Sequence, residues 1–340
     1  MSFTALATRA VERTPLPDVV TRAGVGFLVA RARRKLAAER PAMRAFAHSM
    51  SQRAIAENTA EANEQHYELP AGFFELVLGP RLKYSSCLYR TGTESLAEAE
   101  EAALAETCLH AELADGQQIL ELGCGWGSLS LWMAEHYPRA RIVSVSNSHS
   151  QRRFIAAAAE RRGLTNLKVV TCDMNVFTPD GCFDRIVSVE MFEHMANWRA
   201  LLERLVPALA DEGRMFLHVF SHRNHPYRFE SDDPDDFIAR HFFTGGIMPS
   251  HQLIDAFDDL VKLDASWRWS GAHYQRTALQ WLARFDAHAD EVAAIFRDTY
   301  GPDADLWVRR WRLFFLSVAG LFGDQGGEVW GVSHWRLAAR

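Results

Sequence analysis

Two carboxylates and an imidazole fall close together in an otherwise apolar run: Glu190, Glu193 and His194 in "VEMFEHMANW", residues 189–198. A group of this kind takes up a proton and tolerates a cation beside it. A second stretch, "ILELGCGWGS", sets Glu121, Gly123, Gly125 and Gly127 where a strand would end and a helix begin. Glycines let the backbone turn tightly and approach a ligand, and a helix start offers free N–H groups. Dinucleotide sites use GxGxxG, with the last glycine packing helix on strand. Here the spacing is GxGxG and Ser128 holds the dinucleotide position.

Such a turn needs a strand and a helix to hold it. From about residue 117, short apolar strands alternate with helices: "QILELG", "SLSLWMAEHY", "RIVSVS", "SQRRFIAAAAERRG", "LKVVTCD", "DRIVSVE" and "RMFLHVF". This alternation predicts a parallel sheet with crossover helices, a doubly wound α/β fold. The expected organisation is a helical extension over residues 1–65, starting its helix at "TPLPD", and one α/β domain over 66–340. Within that domain, residues 222–290 are rich in His, Asp, Phe and Trp and break the rhythm, so they are expected as an inserted cap.

Composition narrows the function classes. The formal net charge of −6 and pI near 6.2 give no pull toward nucleic acid. Five scattered cysteines without a CxxC spacing predict neither a disulfide framework nor a structural zinc site, and no metal is expected. A reducing cytoplasm fits. The early apolar run "AGVGFLVA" falls well short of the ~20 residues of a spanning helix and leads into "RARRK", so neither a signal peptide nor a transmembrane segment is expected. Arg31, Arg33, Arg34 and Lys35 read as a solvated helix face or as a peripheral contact with an anionic membrane.

The acid two residues before the first glycine, with Asp173 closing a later strand, resembles motif I of class I S-adenosylmethionine (SAM) methyltransferases. The end of the second strand, "RIVSVSNSHSQ", lacks their usual ribose-gripping acid and offers Ser146, Asn147, Ser148 and Gln151. The chain as a whole resembles the cyclopropane fatty acid synthase superfamily in "HYELPAGFFELVLGPRLKYSS", "LELGCGWGSLSL", "SVSNSHSQ", "EMFEHM", "FLHVFSH" and "FTGGIMPS". Within it, "ANEQHYELP", "VEMFEHM", "SGAHYQRTALQWLARFDAH" and "GEVWGVSHWRL" look most like the coclaurine N-methyltransferase branch. The resemblance implies a class I methyltransferase fold and SAM contacts at Tyr84, Ser85, Glu121, Gly123, Gly125, Ser146, Gln151, Asp173 and Met174. It also implies, for cyclopropane-forming relatives, a bicarbonate cradle at Ser86, Glu193, His218 and Tyr274. Cys87 lies one place beyond the position where those relatives carry a cysteine.

Methyl transfer from a sulfonium needs a nucleophile placed in line and close. An amine must be neutral before attack, so a carboxylate or imidazole that takes its proton is useful. An alkene acceptor instead passes through a carbocation and needs a base for the new methyl. Cyclopropane-forming relatives tend to have a small residue where this chain has Glu190, and an ionised carboxylate is costly against a lipid alkene. The reading is therefore a SAM-dependent methyltransferase acting on an amine of a small, partly hydrophobic molecule, with Glu190, Glu193 and His194 as the acid–base group. The alternative is methylation or cyclopropanation of unsaturated acyl chains of phospholipids, with bicarbonate as base and the N-terminal segment on the membrane. A SAM-binding protein without catalysis has no need of these acids. The oligomeric state is left open. Plain packing roles are expected for Cys124, for His273 and for Trp267, Trp269 and Trp281.

Overall fold

A computed structural model describes residues 14, 16–57, 69–230 and 236–340. Most of "ANEQHYELP" lies outside the described residues, which include only its Leu69 and Pro70. The chain enters through α1 (Asp18–Glu39), α2 (Met43–Met50), α3 (Ala71–Val77) and α4 (Leu96–His110). As "TPLPD" predicts, Pro17 precedes the first helical residue, Asp18, whose charge suits a helix start. A reciprocal pair of hydrogen bonds between Ser95 and Glu98 starts α4.

The alternating stretch forms β1 (Gln118–Leu122), α5 (Ser128–His136), β2 (Arg141–Ser146), α6 (His149–Arg161), β3 (Leu167–Thr171), β4 (Phe183–Val189), α7 (Trp198–Leu205) and β5 (Leu209–His222). Beyond it come β6 (Tyr227–Arg228), α8 (Phe237–His241), β7 (Ile247–Met248), β8 (Val261–Ser270), α9 (Gly271–Ala287), α10 (Ala289–Tyr300), α11 (Ala304–Gly323) and β9 (Trp330–Ala339). The seven-stranded sheet has the order β3-β2-β1-β4-β5-β9-β8. Its strands β1 to β5 pair in parallel, as expected, while β9 runs antiparallel to β5 and β8 antiparallel to β9. Chain direction along the sheet reverses between β1 and β4, so the carboxyl ends of these strands open a crevice suited to a ligand.

The cap is smaller than expected. Residues 261–270, placed in it by composition, are the edge strand of the main sheet, and α9 begins directly after them. "VKLDASWRWS" carries Lys262, Asp264 and Arg268 because an edge strand is protected by charge. That polarity disguised it as cap. The described residues of 223–260 do lie outside the sheet, with β6 and β7 forming a two-stranded ribbon.

The helices α1, α3, α9, α10 and α11 pack into an aromatic core of their own. Phe73 of α3 meets Trp311 of α11 at 4.8 Å and Phe296 of α10 at 5.3 Å between ring centroids. Close approach of α1 to α11 depends on Gly320, where a Cβ would come within 2.4 Å of Val25. Among the described residues no helix is long and apolar enough to cross a membrane.

Candidate active site

The turn after β1 has Gly123, Gly125 and Gly127 at φ of +77°, +51° and +84°. Such values are cheap for glycine and costly for other residues. A Cβ on Gly123 would also lie 2.5 Å from Met191, and one on Gly127 2.7 Å from Ile155. A Cβ on Gly125 would meet nothing, because this glycine borders a cleft. Gly123, Gly125, Ser146, Gln151, Asp173 and Met174 all wall that cleft.

The end of β2 is ordered by its own hydroxyls. Ser146 Oγ donates to Gln151 Oε1 at 2.6 Å and accepts from the Ser148 N–H at 2.9 Å. This leaves the buried Gln151 Nε2 with no partner among the described residues, a donor aimed at a hydroxyl-bearing ligand. Asp173 Oδ1 accepts from the Asn175 N–H at 2.7 Å, which fixes the carboxylate at the cleft wall.

Three expected donor contacts sit elsewhere. Glu121 is 3% exposed and does not border the cleft. It accepts from the hydroxyls of Ser130 and, at 2.6 Å, Ser144, bracing the turn from below, and burial pushes its pKa up to about 6. Tyr84 lines a different chamber, its ring 5.5 Å from that of Trp281. Ser85 is buried and accepts from Lys83 Nζ at 2.6 Å.

The acids part company at the end of β4. Glu190 has φ +49° and its N–H donates to the His218 carbonyl at 2.8 Å. Its carboxylate is held from three sides. Ser86 donates its backbone N–H to Oε1 at 2.9 Å, His218 Nε2 lies 3.2 Å from the same oxygen, and the Tyr274 hydroxyl donates to Oε2 at 2.7 Å. Ser86, His218 and Tyr274 are three of the four positions that the resemblance assigned to a bicarbonate cradle, and here they close on Glu190. The Ser86 hydroxyl takes no part, turning to the Cys87 carbonyl at 3.3 Å. Burial pushes the Cys87 thiol up to about 12, so it offers no thiolate.

Glu193, expected in that cradle, lies beneath it. The single turn Phe192–His194 sends consecutive side chains apart, and Glu193 Oε1 accepts from the Phe220 N–H of β5 at 2.6 Å. Its side chain borders neither chamber. Burial, then the Glu190 charge, push its pKa well above the carboxylate range, which favours the protonated form. His194 borders both chambers beside Glu190, with its ring 4.3 Å from Phe243. Burial lowers its pKa to about 4 against the pull of Glu190, leaving a neutral imidazole. Burial also raises Glu190, while Lys83, the Ser86 N–H and Tyr274 favour its charged form.

Lys83 escaped the sequence reading. It is 2% exposed and its Nζ also donates to the Ser86 carbonyl at 2.6 Å, tying down the loop that presents the Ser86 N–H. No spacing marks it; a lysine beside a "YS" pair reads as surface. The packing roles fare better: His273 Nδ1 accepts from the Tyr89 N–H at 3.2 Å, and Trp281 both packs and lines the second chamber.

That chamber has a volume of about 500 Å³. Its walls are largely aromatic and aliphatic, with Phe220, Tyr227, Phe243 and Phe322 facing Val25 and Val29 of α1, which roofs it, while charged side chains including Arg31, Lys35, Arg228 and Asp236 also line it. Its inner end is polar, where Glu190 and His194 border both this chamber and the cleft. Size and lining suit a small, largely apolar molecule with one polar group directed at the acids.

An open sheet of this order, a glycine turn at the end of β1 and Asp173 just past β3 define a class I SAM-dependent methyltransferase. SAM is its methyl donor, and the free Gln151 amide and the open face of Gly125 fit that group. The chain belongs to the mycolic acid cyclopropane synthetase family, matched over residues 55–330. It is 35% identical over 292 residues to (S)-coclaurine N-methyltransferase from Thalictrum flavum subsp. glaucum, covering 84% of this chain and 81% of the relative. Cyclopropane-fatty-acyl-phospholipid synthase from Escherichia coli (strain K12) is 29% identical over 271 residues, 79% of this chain and 66% of the relative. The crystal structure of coclaurine N-methyltransferase bound to N-methylheliamine and SAH superposes with a TM-score of 0.89 at 33% identity, covering 97% of this chain and 98% of that one. A cyclopropane synthase from Mycobacterium tuberculosis shares the fold, with a TM-score of 0.71 at 22% identity over 84% of this chain and 99% of that one.

Proposed function

We propose that the protein methylates an amine nitrogen of a small, partly hydrophobic molecule. One observation carries the reading: the Glu190 carboxylate, a planar anion fixed to the chain, accepts from the Ser86 N–H and the Tyr274 hydroxyl and lies 3.2 Å from His218 Nε2. Bound SAM supplies an electrophilic methyl. The chain's residues do the rest. The aromatic chamber holds the acceptor and excludes water, with its nitrogen directed at the junction where Glu190 and His194 stand. Glu190 takes the proton of the incoming ammonium, which frees the nitrogen lone pair for in-line attack. Its charge then stabilises the methylated cation. Relatives named for coclaurine and pavine N-methylation support this reaction type.

The acyl-chain reading loses ground on the same observation. A bicarbonate would have to displace Glu190 from all three partners, and the side chain of Glu193 is turned away from both chambers. Incubation with methyl-labelled SAM separates the two, using (S)-coclaurine and, in parallel, vesicles of an unsaturated phospholipid, with and without bicarbonate. The amine reading expects label on the amine, unaffected by bicarbonate. Label in the acyl chains that depends on bicarbonate would overturn it.

A further inference from the structure

Behind Glu190 the buried polar groups continue away from the chamber. His218 Nδ1 lies 2.9 Å from His334 Nε2, His334 Nδ1 lies 2.8 Å from His110 Nδ1, and His110 Nε2 lies 3.2 Å from Glu106 Oε1. With the 3.2 Å contact between His218 Nε2 and Glu190, four contacts join two carboxylates through three imidazoles. The fold builds this chain deliberately across elements. His218 of β5 and His334 of β9 are direct partners in the antiparallel register, and His110 closes α4. His218 and His334 are fully buried, and Trp267 and Trp269 of β8 cover the chain at 3.8 Å from His110 and 4.4 Å from His334. At the far end the Glu106 side chain is 18% exposed and pairs with Arg90.

Counting protons makes the chain informative. A neutral imidazole has one N–H, so three rings supply three donors for four contacts. Both end carboxylates only accept, and Glu190 Oε1 already accepts from the Ser86 N–H, so the available protons point toward Glu106: His110 carries its proton on Nε2 and leaves Nδ1 bare. His334 must then be protonated on Nδ1, and His218 likewise. This order leaves a bare His218 Nε2 facing Glu190 Oε1. The one contact short of a proton is the one at the active site.

We propose that Glu106, His110 and His334 are positioning residues that set this order, and that the chain stores the proton Glu190 takes from the acceptor. The second half rests on the amine reading. In the step, an N–H bond of the ammonium breaks and an O–H bond forms at Glu190 Oε1. That proton passes to His218 Nε2 as the Nδ1 proton of His218 moves to His334 Nε2. The Nδ1 proton of His334 moves to His110 Nδ1, and the Nε2 proton of His110 moves to Glu106. Every imidazole is neutral before and after, and Glu190 is again a carboxylate beside the cationic product. When the product leaves, the hops reverse and the proton departs from Glu190 to water in the chamber, which restores the starting tautomers. Burial above all, with Lys83 and the neighbouring imidazoles, disfavours an imidazolium at His218 or His334, so the charge rests at the ends. The other titratable or charged groups facing the chain are Glu193 at the Glu190 end and Arg90 and Arg336 at the Glu106 end.

Nitrogen-15 NMR of the imidazoles in the full chain reads the order directly, without an acceptor. The expected spectrum has His218 and His334 protonated on Nδ1 and His110 on Nε2. Glu106→Gln, at a partly exposed helix position, lets an amide N–H donate to His110 and so releases the order. It should move His218 toward the Nε2–H form and, with (S)-coclaurine as acceptor, lower kcat about tenfold with KM for SAM within about twofold. A wild-type spectrum with His218 protonated on Nε2, or a Glu106→Gln variant with unchanged tautomers and kcat, overturns the proposal. Because the spectrum needs no acceptor, failure of the amine reading shows in the labelling assay and leaves the tautomer result standing by itself.

Discussion

The Tyr274 hydroxyl donates to Glu190 Oε2 across 2.7 Å, joining the first turn of α9 to the residue that leaves β4. With the Ser86 backbone N–H, it donates to that carboxylate from a separate element of the fold. Replacing Tyr274 by Phe removes a hydrogen bond to a buried charged group, a loss of about 1.5–3 kcal/mol. Turnover should fall about tenfold to a hundredfold while SAM affinity, measured by calorimetry, changes less than about twofold. An equal fall in both would place Tyr274 in donor binding instead.

The two glutamates should respond differently to amidation. Glu190→Gln removes the base at the junction of the chambers and should lower kcat at least about tenfold. Glu193→Gln keeps an oxygen that accepts from the Phe220 N–H and lies outside both chambers, so it should cost turnover clearly less. Steady-state kinetics of both variants at one pH checks this, and the reverse ranking would restore Glu193 to the centre of the site.

Glycine substitutions in the turn should separate fold from ligand. Gly123→Ala forces a Cβ against Met191 at positive φ, and should lower thermal stability by about 1–3 kcal/mol. Gly125→Ala has open space around its Cβ. It should weaken SAM binding more than it lowers the melting temperature.

Glu121 contributes a pH dependence of known sign. Its folded pKa of about 6 lies above the ordinary 4.5, so the folded state holds its proton more tightly. That stabilisation is full below about pH 4.5 and is lost as pH rises through 6, amounting to about 2 kcal/mol for 1.5 units. The unfolding free energy of wild type relative to Glu121→Gln should therefore decline by about that amount between pH 4.5 and 7, as read by denaturant titration.

The parallel half of the fold was legible because its strands and helices have distinct hydrophobic periods. The antiparallel half was not. "WGVSHWRL" and "SWRWS" mix tryptophan with charge and histidine, since β9 buries a polar chain and β8 guards an edge. At the site, His218 and Tyr274, which the resemblance placed in a bicarbonate cradle, stand in the structure around the Glu190 carboxylate. Which glutamate they hold depends on the left-handed turn at Glu190 and the tight turn after it, and neither is visible in residue spacing. Ser146, Gln151 and Asp173, expected at the donor, line the cleft, whereas Glu121 faces into the fold, because strand residues alternate sides. The roof supplied by α1 and the partners Lys83, His110 and His334 come from distant segments that only the tertiary fold brings together.

With Glu190 as the chain's own anion at the proposed methyl-transfer centre, catalysis needs no bicarbonate. Turnover of an amine acceptor is compared in buffer stripped of bicarbonate and in buffer containing it. Equal rates are expected in both for wild type, and a rate lowered at least about tenfold in both for Glu190→Gln. Wild-type activity that disappears with bicarbonate and returns on its addition would contradict it.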